Sequence, residues 1–266
     1  DRSKRWIDLF FLPRFQPIEV LKPFLIIILA TIFCDIRSNI LFKYLISIIL
    51  ISVISLLLIA QPDIGQTLLV VFCWAVLIFT SGINIYILLA IFIAGASLLT
   101  YLIIYVPRFD YIQGRIFSFF NRETGTHNFQ SDKAIESITS GGFFGKGIGE
   151  GVLKNRVPEA HTDYIISVIS EEFGVVAIML ILLLFLILIY MVFKKISFET
   201  NDKVKLILIG SISLILMQAT IHVGVNIRLF PTTGMTLPFL SYGGSSIIST
   251  SILGGIILNL TKRKIT

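Results

Sequence analysis

The segment 156–174 holds the residues of this chain that are best placed for chemistry. It reads RVPEAHTDYIISVISEEFG, and Asp163 stands where a long polar loop meets an apolar stretch. If a helix starts at Asp163, an advance of about 100° per residue places Ser167, Ser170 and Gly174 almost directly beneath the carboxylate. The spacing therefore predicts a polar groove that runs roughly 16 Å down from Asp163, at ~1.5 Å of rise per residue.

Two adjacent glutamates follow in the same predicted helix. Glu171 lies near the polar stripe, whereas Glu172 falls on the opposite side, so the two carboxylates cannot share one environment. We therefore count Glu171 among the candidate substrate-binding residues.

Asp163 itself has two interpretations. A carboxylate at the head of a polar groove is suited to act as a general base, which contributes about 10²–10⁴ in rate. An Asp at a helix start is also a common N-cap that accepts backbone N–H bonds. The two roles are compatible, and position alone does not choose between them.

A second pair of charges, Glu19 and Lys22, opens the first apolar stretch. Residues three apart share a helical face and can pair. Charged residues at the edge of a span that face inward are more often functional than not. In the alternative interpretation, Lys22 extends to the membrane interface and Glu19 is solvated.

Further basic residues could bind a phosphate group, because guanidinium groups grip phosphate oxygens in bidentate fashion. Taken singly, each of them is more simply explained as a surface residue. These candidates are Arg108, Arg115, Arg156 and Arg228.

The run SGGFFGKGIGEG at 140–151 resembles a phosphate-binding glycine loop only superficially. A dinucleotide or P-loop site needs a preceding strand and a following helix of a soluble α/β unit, and neither is present here. We expect the glycines to permit tight turns and close backbone approach, leaving Lys146 free to meet an anion.

His161, two residues before Asp163, suggests a metal, but one His with nearby carboxylates falls short of a zinc ligand set. The sequence therefore predicts no metal site, and His161 stays a candidate for substrate binding. A loosely held Mg²⁺ or another divalent cation is compatible with this region, since Mg²⁺ often uses few protein ligands.

Composition identifies the chain as a polytopic membrane protein with an all-α helical bundle. Hydrophobic residues make up 55% of the 266 residues and charged residues only 14%. Apolar runs close to the ~20 residues needed to cross hydrocarbon predict seven transmembrane helices in a single domain, 1–266. The predicted spans are 18–34, 39–60, 66–80, 84–106, 164–193, 204–226 and 238–260.

Basic residues predict the orientation of these spans. Lysines cluster in the short loop at 194–205 and in the tail at 262–264, which places both on the cytoplasmic side. The long loop 107–163 is then extracytoplasmic, as are 1–17, 61–65 and 227–237. The net charge of +6 is scattered through such loops without a basic, aromatic-interleaved run, so we expect no nucleic-acid partner.

Several separated motifs then resemble one family. They are FQPIEVLK, QPDIGQ, SGGFFGKGIGEG, PEAHTDYI, SEEFG and PTTGMTLPFLSYGGSS, and in this order they are similar to the motifs of the SEDS family, which includes FtsW and RodA. Ala160, where RodA-type members usually carry a basic residue, favours the FtsW branch. Family members have ten transmembrane helices, so we expect this chain to be an N-terminally truncated piece with the last seven.

The resemblance implies a peptidoglycan glycosyltransferase of the bacterial cytoplasmic membrane, which polymerises lipid II on the outer face, at the septum during cell division. The family's essential aspartate corresponds to Asp163, and its glutamate and lysine at the fourth helix correspond to Glu19 and Lys22. In that setting we expect Lys22 to bind the departing pyrophosphate and Glu19 to orient it. Implied partners are a class B penicillin-binding protein, which is a transpeptidase, and other divisome proteins.

Three other functions compete with this one. A RodA-type elongation polymerase would use the same chemistry. A lipid II flippase would also carry intramembrane carboxylates and broken helices. Against the flippase, no inverted repeat is evident, and the charged groups cluster at one membrane face rather than at the midplane. A scaffold that only recruits division partners would need no essential polar residue in the groove.

Overall fold

The computed structural model describes residues 5–7, 15–37, 39–120, 126–152 and 157–262. Within these ranges the chain is helical, and its β pairing is limited to one bridge between Ile7 and Phe15. A 3₁₀ turn occupies Pro107–Phe109. The α-helices are α1 Pro17–Cys34, α2 Ile40–Ala60, α3 Ile64–Thr80, α4 Ile85–Tyr105, α5 Asp110–Phe120, α6 Thr126–Gly141, α7 Ile165–Phe198, α8 Asp202–Asn226 and α9 Gly244–Thr261.

The helices confirm the predicted all-α polytopic architecture. Six of those described, namely α1, α2, α4, α7, α8 and α9, are long and apolar enough to cross a membrane. The predicted third span corresponds to α3, which is apolar but only 17 residues long. Each of the seven predicted spans therefore coincides with an apolar helix.

The start of the last predicted span is wrong, because α9 begins at Gly244 and not near 238. Phe239 adopts a positive φ of 67°, which lies outside the right-handed helical region. The Ser241 hydroxyl oxygen also accepts a hydrogen bond from the Leu237 N–H at 2.7 Å. These local features hold 238–243 outside the helix.

The long loop 107–163 is largely structured, since α5 and α6 lie within it. On α6, Ser131, Ala134 and Ser137 are buried at intervals of three residues, which defines one packed helical face. The phenylalanines Phe143 and Phe144 are exposed.

The chain forms two compact units. One comprises 1–95, 189–217 and 244–266, and the other comprises 96–188 and 218–243. The predicted single domain over 1–266 stays a prediction.

In the first unit, α1 packs against α3 and α9, and α2 packs against α3. Gly210 of α8 makes a close approach possible, because a Cβ built there would lie 2.7 Å from Ile26 Cγ2 and 3.1 Å from Leu77 Cδ2. Small residues commonly permit such packing between membrane helices. The Trp74 indole N–H donates to Ser47 Oγ at 3.2 Å, so a buried polar pair also ties α3 to α2.

In the second unit, Ile166 of α7, Ala219 of α8 and Leu237 form a buried core cluster. Ile138 of α6 packs against it. The segment before α9 therefore enters the core of this unit, although it has no regular secondary structure.

The packing of Gly210 generates a stability prediction. Replacing Gly210 by Leu should destabilise the protein by about 1–3 kcal/mol, because the added side chain overpacks a filled site. Gly255→Leu on α9 is the matched control, since a Cβ at Gly255 meets nothing within 4 Å. Thermal unfolding of both variants in detergent checks this, and equal midpoints would contradict the packing described.

Candidate active site

Asp163 lies in a turn at 161–164, immediately before α7, with its side chain half-buried. Because α7 begins at Ile165, the expectation that Asp163 starts the helix is wrong, and the N-cap position belongs to Tyr164. The turn is closed by the Glu159 carbonyl, which accepts from the Asp163 N–H at 3.1 Å.

Three successive backbone carbonyls of this turn are held by hydrogen bonds. The Tyr242 N–H donates to the His161 carbonyl at 3.0 Å, and the Ser241 hydroxyl donates to the Thr162 carbonyl at 2.7 Å. The Asn226 amide donates to the Asp163 carbonyl at 3.1 Å. The backbone beneath the Asp163 carboxylate is therefore fixed from outside α7.

Asn226 belongs to a ladder of polar residues on α8. Gln218, His222 and Asn226 are four residues apart, so they share one face of the helix. The Gln218 amide donates to the Thr236 carbonyl at 3.0 Å, and His222 Nδ1 lies 2.7 Å from the Met235 carbonyl oxygen. Since that carbonyl only accepts, Nδ1 carries the proton. The ladder thus binds the segment before α9 as well as the Asp163 turn.

Sequence reasoning missed this ladder, although the run QATIHVGVN contains its signal. Polar residues at i, i+4 and i+8 inside an apolar span predict a satisfied inward face. Two acceptor atoms of the ladder, His222 Nε2 and Asn226 Oδ1, are buried and have no hydrogen-bond partner among the described residues.

The segment before α9 also approaches the carboxylate directly. Gly234 has a φ of +70°, and a Cβ built on it would lie 3.4 Å from Asp163 Oδ2. Glycine adopts this φ without strain and brings the backbone close to the carboxylate. In the same segment, the Thr232 carbonyl accepts from Arg115 Nη1 at 3.2 Å.

The predicted open groove below Asp163 is wrong, because α6 covers it. Ser167 and Ser170 are both buried. Ser137 of α6 donates to the Ser167 carbonyl at 3.2 Å, and Ser170 donates to the Ile138 carbonyl at 3.3 Å. Gly141 at the end of α6 has no room for a Cβ against the Ser170 carbonyl. The small residues pack two helices together instead of lining a cavity.

Glu171 lies at 0% exposure below this contact. Its Oε2 accepts from the Ser137 hydroxyl at 3.0 Å, and its Oε1 lies 3.6 Å from Lys146 Nζ. Lys146 is therefore paired and not left free, although 40% of its side chain stays exposed. Roles of Glu171 and Lys146 in substrate binding stay predictions.

Glu172 occupies a different environment, as expected. It is half-buried, and its Oε1 accepts from the Gly149 N–H at 3.1 Å. The Glu172 carbonyl also accepts from the Gly147 N–H at 3.0 Å. The glycine run 140–151 therefore wraps around the two glutamates, in agreement with close backbone approach.

Gly174 allows the glycine run 140–151 to pack against α7. Its φ of 78° and ψ of −177° interrupt α7, in a region that is essentially open only to glycine. The Val175 N–H then donates to the Gly142 carbonyl at 3.0 Å, and the Val176 N–H donates to the Phe143 carbonyl at 3.3 Å. Backbone groups freed by the interruption of the helix are satisfied by the glycine run.

The remaining candidates in this unit have other surroundings. Arg228 has a φ of +58° and forms an ion pair with Asp132 of α6. His161 shares the turn with Asp163 and is exposed. Arg156 and the Arg108 side chain lie outside the described part of the chain.

In the first unit, the structure confirms that Glu19 and Lys22 pair. Lys22 Nζ lies 2.7 Å from Glu19 Oε2, and the Gln66 amide donates to Glu19 Oε1 at 2.6 Å. Exposures of 3% for Glu19 and 0% for Lys22 show that the alternative, in which Lys22 extends to the interface, is wrong. Burial of both charges is tolerated because each compensates the other.

Asp63 forms a second polar centre beside this pair. It caps α3 by accepting from the Gln66 N–H at 3.3 Å, and the Gln16 amide donates to its Oδ2 at 3.1 Å. Burial raises the pKa of the Asp63 carboxyl above its usual value, and the nearby Arg5 and the Gln66 N–H oppose that rise. Asp63 thus shapes the turn between α2 and α3.

Among the described residues, no group of three or more His, Cys, Asp or Glu is arranged to hold a metal ion. His161 therefore does not complete a ligand set with the described carboxylates.

Comparison with known proteins identifies the family. A family model described as a cell cycle protein, which covers FtsW, RodA and SpoVE, matches residues 1–265. The chain belongs to this family. The resemblance inferred from the motifs is thereby confirmed.

Two relatives carry the name probable peptidoglycan glycosyltransferase FtsW. One, from Caulobacter vibrioides, is 33% identical over 260 residues, covering 94% of this chain and 63% of the relative. The other, from Enterococcus hirae, is 32% identical over 276 residues, covering 99% of this chain and 69% of the relative. The chain thus spans about two thirds of the length of these relatives.

Solved structures of the family share the fold. A chain from a peptidoglycan synthase complex, described as coordinating polymerisation and crosslinking, matches with a TM-score of 0.78 and 27% identity, over 100% of this chain and 75% of that one. The rod shape determining protein RodA of Thermus thermophilus matches with a TM-score of 0.67 and 27% identity, over 99% and 71%.

The buried Glu19–Lys22 pair of this FtsW/RodA-family chain generates one prediction. Lys22→Met should destabilise the protein by about 3–5 kcal/mol, because it leaves the Glu19 charge buried without its partner. Adding Glu19→Gln should recover most of that loss. Lys133→Met is the control, since Lys133 forms an exposed pair with Glu136 at the same spacing and should cost at most about 1 kcal/mol. Thermal unfolding measures all three, and an equal cost for both lysines would contradict the burial.

The interruption of α7 generates a second prediction. Gly174→Ala combines backbone strain with a clash against the Phe143 carbonyl, whereas Gly149→Ala has a similar φ of +82° but open space around its Cβ. We expect Gly149→Ala to cost about 1–3 kcal/mol and Gly174→Ala to cost more. Thermal unfolding and proteolysis within 140–151 check the difference. Equal stability of the two variants would show that close approach at Gly174 is unimportant.

Proposed function

We propose that this protein is a peptidoglycan glycosyltransferase that polymerises lipid II during septal cell-wall synthesis, with Asp163 as the general base. The observation that carries the proposal is the Asp163 turn, in which a half-buried carboxylate stands on a backbone held at three successive carbonyls. The relatives named peptidoglycan glycosyltransferase support the reaction class.

The proposed step needs one base and one good leaving group. Asp163 takes the proton from the acceptor hydroxyl as its oxygen attacks the anomeric carbon of the donor sugar. The new glycosidic bond forms while the bond to the pyrophosphate oxygen breaks, and undecaprenyl pyrophosphate leaves with the electron pair. Glycosidases need a second carboxyl group to protonate a poor leaving group. A pyrophosphate leaves without that help.

The rigidity of the turn is what this chemistry requires. A base contributes fully only when its carboxylate is held at hydrogen-bonding distance from the proton that it removes. The Asn226, Ser241 and Tyr242 contacts fix the backbone of the turn from which the Asp163 side chain extends. They therefore restrict the positions that the base adopts.

Positive charge must receive the departing pyrophosphate. We propose Lys22 for this role, with Glu19 orienting its ammonium group through their 2.7 Å contact. Because Lys22 is fully buried, this role requires a substrate-bound state in which the ammonium is uncovered. Arg156, Arg228, Lys146 and His161 remain further candidates for substrate contacts. A divalent cation such as Mg²⁺, bridging pyrophosphate and one carboxylate, would need few protein ligands.

The setting of the reaction belongs to the same proposal. The lysine-rich loop and tail support a multi-pass protein of the cytoplasmic membrane with the Asp163 turn on its outer face. The matched synthase complex couples polymerisation with crosslinking, which supports a transpeptidase of the class B penicillin-binding type as partner. Septal localisation with other divisome proteins follows from the FtsW branch.

The decisive experiment measures glycan polymerisation from lipid II by the full-length protein with its cognate transpeptidase. Asp163→Asn keeps the size and one hydrogen-bonding oxygen but removes the base, so polymer formation should fall by about 10²–10⁴. Asp110→Asn is the matched control, because Asp110 is an exposed aspartate at the start of α5 in the same loop and should retain activity.

Two outcomes would overturn the proposal. Undiminished polymerisation by a folded Asp163→Asn variant would remove Asp163 from the chemistry. No polymer from the wild type, together with transbilayer movement of lipid II that does not depend on Asp163, would favour the flippase.

A further inference from the structure

A basic pocket lies at the opposite end of the first unit from the Glu19–Lys22 pair. It has a volume of about 700 Å³ and lies where the end of α1, the start of α2, the end of α3 and the start of α8 meet. Its lining includes Lys43, Lys203, Lys205, Asp202, Cys34 and Ile209. Neither the glycosyltransferase chemistry nor the family motifs account for it.

The charge of the pocket is positive. Three lysines and one aspartate line it, which leaves a net charge of +2. Lys205 Nζ lies 3.2 Å from Asp202 Oδ1, so one lysine is neutralised. Lys203 forms no side-chain hydrogen bond or ion pair with the described residues, and Lys43 Nζ donates only to the Phe33 carbonyl at 3.2 Å. Two ammonium groups of the pocket therefore have no carboxylate partner in the described part of the chain.

The start of α8 does not by itself account for an anion site. The Asn201 side chain already accepts from the Lys203 N–H at 3.0 Å and the Val204 N–H at 3.4 Å, which caps the helix. The lysine side chains are therefore the main donors that the pocket offers to an anion.

Part of the wall is apolar, which a lipid would use and a free anion would not. Phe33, Ile36, Leu206 and Ile209 form this part, whereas Thr80, Ser81 and Asn201 add polar groups to the lining. Phe42, which precedes the pocket residue Lys43 on α2, is an exposed hydrophobic residue. A phosphodiester bound by the lysines would therefore sit beside surface suited to acyl chains, at the depth where membrane helices end. Basic pockets between membrane helices are known binding sites for anionic head groups.

We propose that this pocket binds the phosphodiester head group of an anionic phospholipid. Lys43 and Lys203 pair with the phosphate, and the apolar wall contacts the first carbons of the acyl chains. The site lies on the side that carries the lysine-rich loop, so the lipid comes from the leaflet that faces this loop.

Cys34 provides a direct test because it lines the pocket and is half-buried, whereas Cys73 is buried in the helix core. The full-length protein is placed in vesicles of phosphatidylcholine alone, or with phosphatidylglycerol added. Alkylation of Cys34 by a neutral maleimide is then followed by peptide mass spectrometry. We expect phosphatidylglycerol to slow alkylation several-fold. Replacing Lys43 and Lys203 by Gln should weaken the affinity for phosphatidylglycerol by roughly fivefold per lysine, and the protection of Cys34 should fall accordingly.

Controls separate pocket binding from surface charge and from misfolding. Lys194→Gln and Lys262→Gln remove exposed lysines outside the pocket and should leave the protection intact. The single variant Lys203→Gln is included because it should fold like the wild type. Lys203 is exposed, and its side chain forms no hydrogen bond or ion pair with the described residues. Each variant is judged by its ratio of rates in the two vesicle types, so that changes in intrinsic thiol reactivity cancel.

Three results would overturn the assignment. Equal alkylation rates in both vesicle types would show that no anionic lipid enters the pocket. Protection that persists in the pocket variants would assign the effect to the membrane surface. Protection in phosphatidylcholine vesicles by inorganic phosphate alone, matching that by phosphatidylglycerol, would assign the pocket to a free anion.

Discussion

Backbone polar groups that lie at membrane depth without helical partners must be satisfied by other parts of the protein, and the second unit is organised around this constraint. The chain leaves helical geometry before α7, at Gly174 and before α9. Irregular backbone within a membrane is tolerated only where protein covers it or where it lines a water-filled cavity. The α8 ladder binds the segments before α7 and α9, and the glycine run binds the interruption at Gly174. The position of the Asp163 turn therefore depends on α8 as well as on α7, which follows it.

The same constraint explains why α6 and the glycine run belong to the structure of α7. Ser137, Gly141 and Lys146 all contact the stretch from Ser167 to Glu171. Because α6 and the glycine run cover this stretch, the Glu171 carboxylate is buried instead of facing hydrocarbon or water. A buried glutamate that accepts a hydroxyl hydrogen bond and pairs with a lysine is a stable arrangement, whereas the same glutamate alone would be costly. The loop 107–163 is thus a structural partner of α7.

How much of this could be predicted from sequence depends on the range of the interactions involved. Helix period and apolar length predicted the spans, and the spacing of Glu19 and Lys22 predicted their pairing, because these are local properties. The closed groove was not predictable in this way, since small polar residues at Ser167 and Ser170 are equally compatible with an open cleft and with close helix packing. The start of α9 was displaced because Ser241 and Phe239 fix a turn whose partners lie near Asp163. Long-range contacts closed the groove, and at the start of α9 they act together with the local features of 237–241.

The two ends of the first unit differ in how their charge is treated. At one end, the charges of Glu19 and Lys22 compensate each other, and Gln66 donates a further hydrogen bond to Glu19. The protein therefore buries no net charge there. At the end with Lys43 and Lys203, two ammonium groups have no carboxylate partner among the described residues. An internally neutral end and a cationic end on the same helices produce an asymmetry across the membrane. Such an asymmetry favours the orientation that places the cationic end against the anionic leaflet. The basic pocket supplies this preference, because the buried pair is neutral as a whole and presents no net charge to either surface.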